Sequence, residues 1–401
     1  MTKPLLLKNL RLMGAAQTDL LIEDGCITQI APEIAPEGDI AIEYCDAALA
    51  LPGLIDAHAH LDKTLWGMPW HPHQQGKSLQ QMIDTERHLR HELDMDAERQ
   101  SARQVALALS KGTTAIRSHV DIDTDHGLTL FEGVSATRTR YAAVMQMEIV
   151  AFPQSGMMIR PGTVELMDQA LRDGAEIVGG LDPCGIDRDP KGQLDAVFGL
   201  AEKHGKQIDI HLHEPGEMGA FSLEMILDRT EALAMHGKVT VSHAFCLGMN
   251  DQSRVAALLD RIASLDVSLA TTAPASRPVP SVAACRERGI AICAGNDGIR
   301  DTWTPYGNAC MLERAMLVGL RNNFRADVEV AWALDTCSTD GARVMNMSDH
   351  GLTEGSRADL VLVDAEALSE AVTLRPPRRL VLSAGQIVAR RGETEATWQA
   401  A

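Results

Sequence analysis

His58 and His60 stand one residue apart at the end of the apolar run Leu51–Ala57, a pairing that can hold a metal. In a β-strand, residues i and i+2 project to the same side, so both imidazoles reach one point beyond the strand end. On a helix the same spacing turns the rings about 200° apart, so the motif and a strand setting require each other. Three further groups, His211, His243 and Asp297, each follow a β-like apolar run of their own. Imidazole and carboxylate are the ligands a zinc- or iron-type divalent ion takes when one position stays open for water.

Groups so far apart in sequence need a scaffold that gathers strand ends. Between about residue 50 and 300 there are eight short β-like runs: Leu51–Ala57, Thr113–Val120, Ala142–Phe152, Glu176–Leu181, Gln207–Leu212, Lys238–His243, Val267–Ala270 and Ile290–Ala294. Segments with helical periodicity separate most of them; Val164–Asp173 and Gln193–His204 place apolar residues at three- and four-residue steps and end near Gly174 and Gly205. This alternation implies parallel strands with crossover helices, and a (β/α)8 barrel is the economical closure. Every candidate group then falls at a carboxyl strand end, where barrels build active sites. His58 and His60 end the first strand, Gln154 follows the third, His211 and Glu214 end the fifth, His243 the sixth and Asp297 the eighth.

The termini read differently. Alternating strands around turns such as Glu23-Asp24-Gly25 fill residues 4 to about 50, and Ala358–Asp364 and Leu380–Val388 match them in style. A small β-sandwich formed by both termini is expected, with residues 1–50 and 350–401 in it and a hydrolase barrel over 51–349.

Composition limits the partners. With 45% hydrophobic and 23% charged residues, a chain of 401 residues can bury a large core. The 37 basic and 55 acidic residues give a net charge of −18, which argues against nucleic acid, anionic membranes or polyanions and fits an uncharged or weakly basic small molecule. No stretch approaches the roughly 18 apolar residues of a membrane span, and Leu5-Leu6-Leu7 is too short for a signal-peptide core. A cytoplasmic setting and a homo-oligomer are expected. Eight scattered cysteines without a Cys-x-x-Cys pair suggest reduced, mostly buried thiols. Pro183-Cys184 has no second cysteine three residues on, which disfavours the nucleobase deaminases built on that motif.

Pro52–Asp62, the terminal strands, Gly295-Asn296-Asp297 and the closing Glu354–Leu360 resemble the amidohydrolase superfamily over nearly the whole chain. Within it, Arg117–Asp121, Val150–Gly156 and Trp303 resemble the bacterial cytosine deaminase branch. The resemblance implies one Zn2+ or Fe2+ held by His58, His60, His211 and Asp297. Such a metal lowers the pKa of its water toward neutrality, so a metal-bound hydroxide would remove ammonia or a small amine from an aminated N-heterocycle. Asp297 would take the water's proton, Glu214 would carry protons to the ring nitrogen and the leaving amine, and His243 would hydrogen-bond the developing oxyanion. Binuclear relatives use a lysine at the fourth strand, and Glu176–Cys184 contains none, which also disfavours ring opening of a cyclic amide.

For substrate contacts, the resemblance implies that Gln154 pairs with an amide-like edge and Trp303 walls the pocket. Lys63 either polarises a ring carbonyl or pairs with Asp62. Gly298 and His213 depart from the cytosine deaminases, which carry acidic residues at both positions. The loss at Gly298 removes a carboxylate contact and leaves space for a larger exocyclic group. Lys63, His213 and Gly179–Pro183 are more similar to N-isopropylammelide aminohydrolases, making an N-alkylamino-s-triazine the alternative substrate. His119 and Asp121 either support the metal ligands or touch substrate, and His71 and His73, in the long loop after the first strand, either line a lid or belong to a surface loop. The run Glu86–Glu92 alternates in sign as a solvated helix face would.

Overall fold

The computed structural model describes residues 3–73 and 78–400; Met1, Thr2, Ala401 and residues 74–77 lie outside it. The amino-terminal strands are β1 (Leu5–Leu12), β2 (Gln17–Glu23), β3 (Cys26–Ala31), β4 (Ala41–Tyr44) and β5 (Leu49–Pro52). Eight parallel strands follow: β6 (Leu54–Ala59), β7 (Thr113–Asp121), β8 (Gln146–Phe152), β9 (Ile177–Leu181), β10 (Gln207–His211), β11 (Val239–Ser242), β12 (Ser268–Thr271) and β13 (Ile292–Ala294). The carboxyl-terminal strands are β14 (Leu360–Val363), β15 (Arg378–Ser383), β16 (Gln386–Arg390) and β17 (Glu393–Thr394).

All eight barrel strands expected from sequence are present, with two boundaries moved by three residues or more and the others by one or two. Leu51 and Pro52 belong to β5, in the terminal sheet, and the chain passes to β6 at Gly53, where a Cβ would collide with Thr114 and Asp359. Residues 142–145 form a turn ahead of β8 because Val144 and Met145 bury themselves at the end of the helix Thr129–Tyr141, not in a ladder. The expected helices are Thr163–Arg172 and Pro190–His204; Gly205 closes the second in a left-handed conformation, φ 65°.

The barrel closes between β13 and β6 at one parallel bridge, Ala59 to Asp297, where the Asp297 amide donates to the His58 carbonyl at 2.9 Å. Gly295 permits this approach, since a Cβ there would overlap the His58 backbone. The closing seam therefore sets Asp297 directly against the His-x-His pair.

The terminal strands form one nine-stranded sheet in the order β17-β16-β15-β14-β5-β1-β2-β3, with β4 also paired to β1. Antiparallel pairing of β5 with β14 joins the two ends of the chain. Its period-two alternation buries both faces. Leu49, Leu51, Val361 and Val363 pack with the barrel's core, whereas Ala50, Leu360, Leu362 and Leu382 close on Leu5, Leu7, Leu20 and Ile22. No described helix is long and apolar enough to cross a membrane. All eight cysteines are free thiols.

Candidate active site

His58 and His60 leave β6 on one side, as their spacing required, and meet His211 from β10 and Asp297 from the closing seam. Asp297 Oδ1 lies 3.3 Å from His60 Nε2 and 3.9 Å from His58 Nε2. His60 Nε2 and His211 Nε2 are 3.4 Å apart. Four ligand atoms arranged tetrahedrally around an ion at about 2.05 Å are separated by about 3.3 Å, so this spacing fits a zinc-sized ion.

The hydrogen-bond ledger fits the same ion. Ser242 Oγ donates to Asp209 Oδ1 at 2.6 Å, and its lone pair receives His58 Nδ1 at 2.9 Å. Nδ1 therefore carries the proton, and His58 Nε2 presents a lone pair with no partner. Burial depresses the His58 pKa to about 3 and holds His211 and His243 well below the usual range. All three are neutral imidazoles, the form a metal needs. Burial works against the Asp297 carboxylate, but the hydrogen bond it accepts from His60 and the histidines around it keep its pKa well below the usual value. Asp297 and His243 adopt left-handed backbone, φ 63° and 67°, a strained conformation for residues with a side chain.

His243 brings its ring within 4.8 Å of His58 and 5.0 Å of His211, and neither ring nitrogen has a partner. His213 stacks on it at 4.3 Å, with Nδ1 held 2.8 Å from Asp182 Oδ2. His119 sits behind these histidines, its ring 4.3 Å from His58 and 4.4 Å from His211. Glu214 takes its hydrogen bonds from outside the histidine cluster. Cys184 and Gly185 amides donate to Oε1 at 2.8 and 2.7 Å, and Ser222 Oγ donates to Oε2. Burial outweighs these donors and raises its pKa, which favours a carboxyl that can hold a proton.

On the other flank, Lys63 Nζ spends its protons on Gln154 Oε1 at 3.1 Å, Asp121 at 3.2 Å and Glu86 at 3.5 Å, and lies 5.7 Å from the Trp303 ring centre. The expected alternative pairing with Asp62 is replaced by these. Burial opposes the ammonium, but Asp121 and Glu86 hold its pKa above the usual lysine value. Among the described residues Gln154 Nε2 has no acceptor, its Oε1 alone being engaged, so the amide donor faces a ligand's acceptor unspent.

Glu86 and Arg90 correct the sequence reading. Both lie on the helix Leu79–Glu92, and they are not on a solvated face: Glu86 is 2% exposed. Arg90 bridges Glu86 and Asp121, the latter at 2.6 Å, and takes His126 Nε2 at 3.0 Å. Sequence reasoning also missed Asp209, although Asp209 and His211 repeat the i, i+2 pattern of the His-x-His pair. Beneath the ligands, Asp209 Oδ2 also receives the fully buried Arg117 at 3.1 Å. His73 Nε2 binds the Asp301 carbonyl at 2.6 Å, so it braces a loop at the barrel mouth. The volume beside Gly298 is not open either, because the Asp301 carboxylate fills it.

Residues 76–389 match the model of the amidohydrolase family. The chain belongs to that family. A crystal structure of N-isopropylammelide isopropylaminohydrolase from Burkholderia multivorans is 49% identical, with a TM-score of 0.96 over 98% of this chain and 100% of the other. A 5-methylcytosine deaminase from Klebsiella pneumoniae, crystallised with 5-fluorocytosine, is 25% identical, with a TM-score of 0.85 over 97% and 98%. The N-isopropylammelide isopropyl amidohydrolase of Pseudomonas sp. strain ADP is 26% identical over 85% of this chain and 86% of its own. As an amidohydrolase, the protein is a metal-dependent hydrolase of carbon–nitrogen bonds.

Proposed function

We propose that this amidohydrolase removes ammonia or a small amine from an aminated N-heterocycle by hydrolysis. The observation that carries the reading is the convergence of His58, His60, His211 and Asp297, with His58 Nε2 unpartnered, beside Lys63, Gln154 and Trp303. A Zn2+ or Fe2+ held by those four residues would supply the Lewis acidity that makes a water nucleophilic near neutral pH. Asp297 is the base for that water's proton. Glu214, with its raised pKa, delivers protons to the ring nitrogen and the departing amine. His243, neutral and unpartnered, donates to the oxygen that gains charge. Lys63 holds Gln154 by its Oε1 so that Gln154 Nε2 donates to the ring's amide-like edge, and Trp303 covers its face.

Two substrate branches fit this chemistry. A cytosine-like ring agrees with the likeness to the deaminase, and an N-alkylamino-s-triazine with the likeness to the Burkholderia aminohydrolase and with Lys63 and His213. A panel of cytosine, isocytosine, ammelide and N-isopropylammelide, scored by kcat/KM for amine release, tests the reading. New carboxylate without amine would instead mean ring opening. We further propose a cytoplasmic homo-oligomer whose barrel domain, from Gly53 to about residue 349, carries the site and whose terminal strands, β5 included, form a second domain.

A further inference from the structure

Gly298 follows the ligand Asp297, and its φ is not in the left-handed region, so the backbone does not require glycine there. Space does. A Cβ on residue 298 would fall on Asp301 Oδ2. The carboxylate is fixed in that position: Oδ1 accepts from the Trp303 and Thr304 amides at 2.8 and 2.9 Å, and the His73 ring holds the Asp301 carbonyl. Asp301 is 3% exposed, yet no hydrogen bond reaches Oδ2 from any described residue. The same Asp301 sets the backbone of Trp303, whose ring faces Lys63 Nζ.

We propose that Asp301 is a substrate-binding carboxylate, its Oδ2 occupying the volume left by Gly298 and receiving an N–H of the heterocycle. This rests on the function proposed above. Among the described residues none donates to Oδ2, and an acceptor held in the interior gains from a donor. Gln154, its Oε1 held by Lys63, offers the N–H of Nε2, and Asp301 offers an acceptor. Together they match a ring edge on which C=O and N–H alternate, as in a cyclic amide or its aza analogues. Glycine at 298 thus relocates the carboxylate from the residue after the metal ligand to one on the neighbouring loop.

The test compares wild type, Asp301→Asn, Asp301→Ala and Gly298→Asp/Asp301→Ala. It reads kcat and KM of the zinc-loaded enzymes on N-isopropylammelide, calorimetric Kd of the zinc-free proteins for ammelide, and melting temperature. Asp301→Asn keeps an acceptor for the Trp303 and Thr304 amides but puts N–H where Oδ2 stood. Its KM and Kd should rise about tenfold or more, with the melting temperature held. The double variant returns a carboxylate from position 298 and should bind ammelide within about threefold of wild type, whereas Asp301→Ala alone should not. Unchanged KM and Kd in Asp301→Asn would overturn the proposal and leave Asp301 a loop cap. If Asp301→Asn does not fold, equally weak binding by Asp301→Ala and the double variant overturns it. Wild type that releases no amine from any compound of the panel removes the functional reading, and this proposal with it.

Discussion

Ser242 decides which nitrogen of His58 is free. Its hydroxyl proton goes to Asp209, so it can only accept from Nδ1–H, and Nε2 is left to bind a metal. Replacing Ser242 with Ala removes that constraint without touching a ligand, and zinc affinity should fall about 10- to 100-fold in a competitive chelator titration. Glu214 has a different role, so its loss should have a different signature. Glu214→Gln should lower kcat/KM by two or more orders of magnitude while bound zinc per chain stays constant. Unaltered turnover in that variant would remove Glu214 from proton transfer.

At the scale of elements, the site is a product of strand ends and one helix. The barrel strands were legible because a buried parallel strand is a short apolar run, and each polar residue that ended one was out of place there. His-x-His was legible for the same reason. The helix Leu79–Glu92 was misread, since an i, i+4 pair such as Glu86 and Arg90 has the same spacing whether it faces water or a buried partner. The partners that settle the matter, Lys63 and Asp121, come from the loop after β6 and from the end of β7. Asp301 escaped because its contact with Gly298 is made across a loop without periodicity. Arg90→Met tests the helix: it leaves Asp121 and Glu86 with only Lys63 to offset their charges. We expect a loss of about 3 kcal/mol in urea unfolding and a raised KM. A variant as stable as wild type would mean the ion pairs do not anchor the helix.

For the whole molecule, the cost of gathering neutral histidines inside a barrel appears as pH dependence. His58, His119, His211 and His243 have folded pKa values below the unfolded value near 6.5, chiefly through burial. Their contribution is complete above about pH 6.5 and is lost as pH falls, because the unfolded chain binds protons that the folded one refuses. Asp56, Asp301 and Asp340, raised to about 6 by burial, act in the opposite direction between about pH 4 and 6. The histidines prevail between pH 7 and 5 because their unfolded pKa lies inside that window, and His126 and His350, lowered by burial as well, add to them. The melting temperature of the zinc-free protein should therefore fall from pH 7 to pH 5, and zinc should raise it most at the higher pH, where no ligand proton must be displaced. The most direct test of the account is amine release by protein stripped of metal, then reloaded with zinc. It predicts one equivalent of isopropylamine from N-isopropylammelide or of ammonia from a cytosine-like ring per turnover, absent without metal and restored near one zinc per chain. Full activity in the stripped protein, or carboxylate formed without amine, would contradict it.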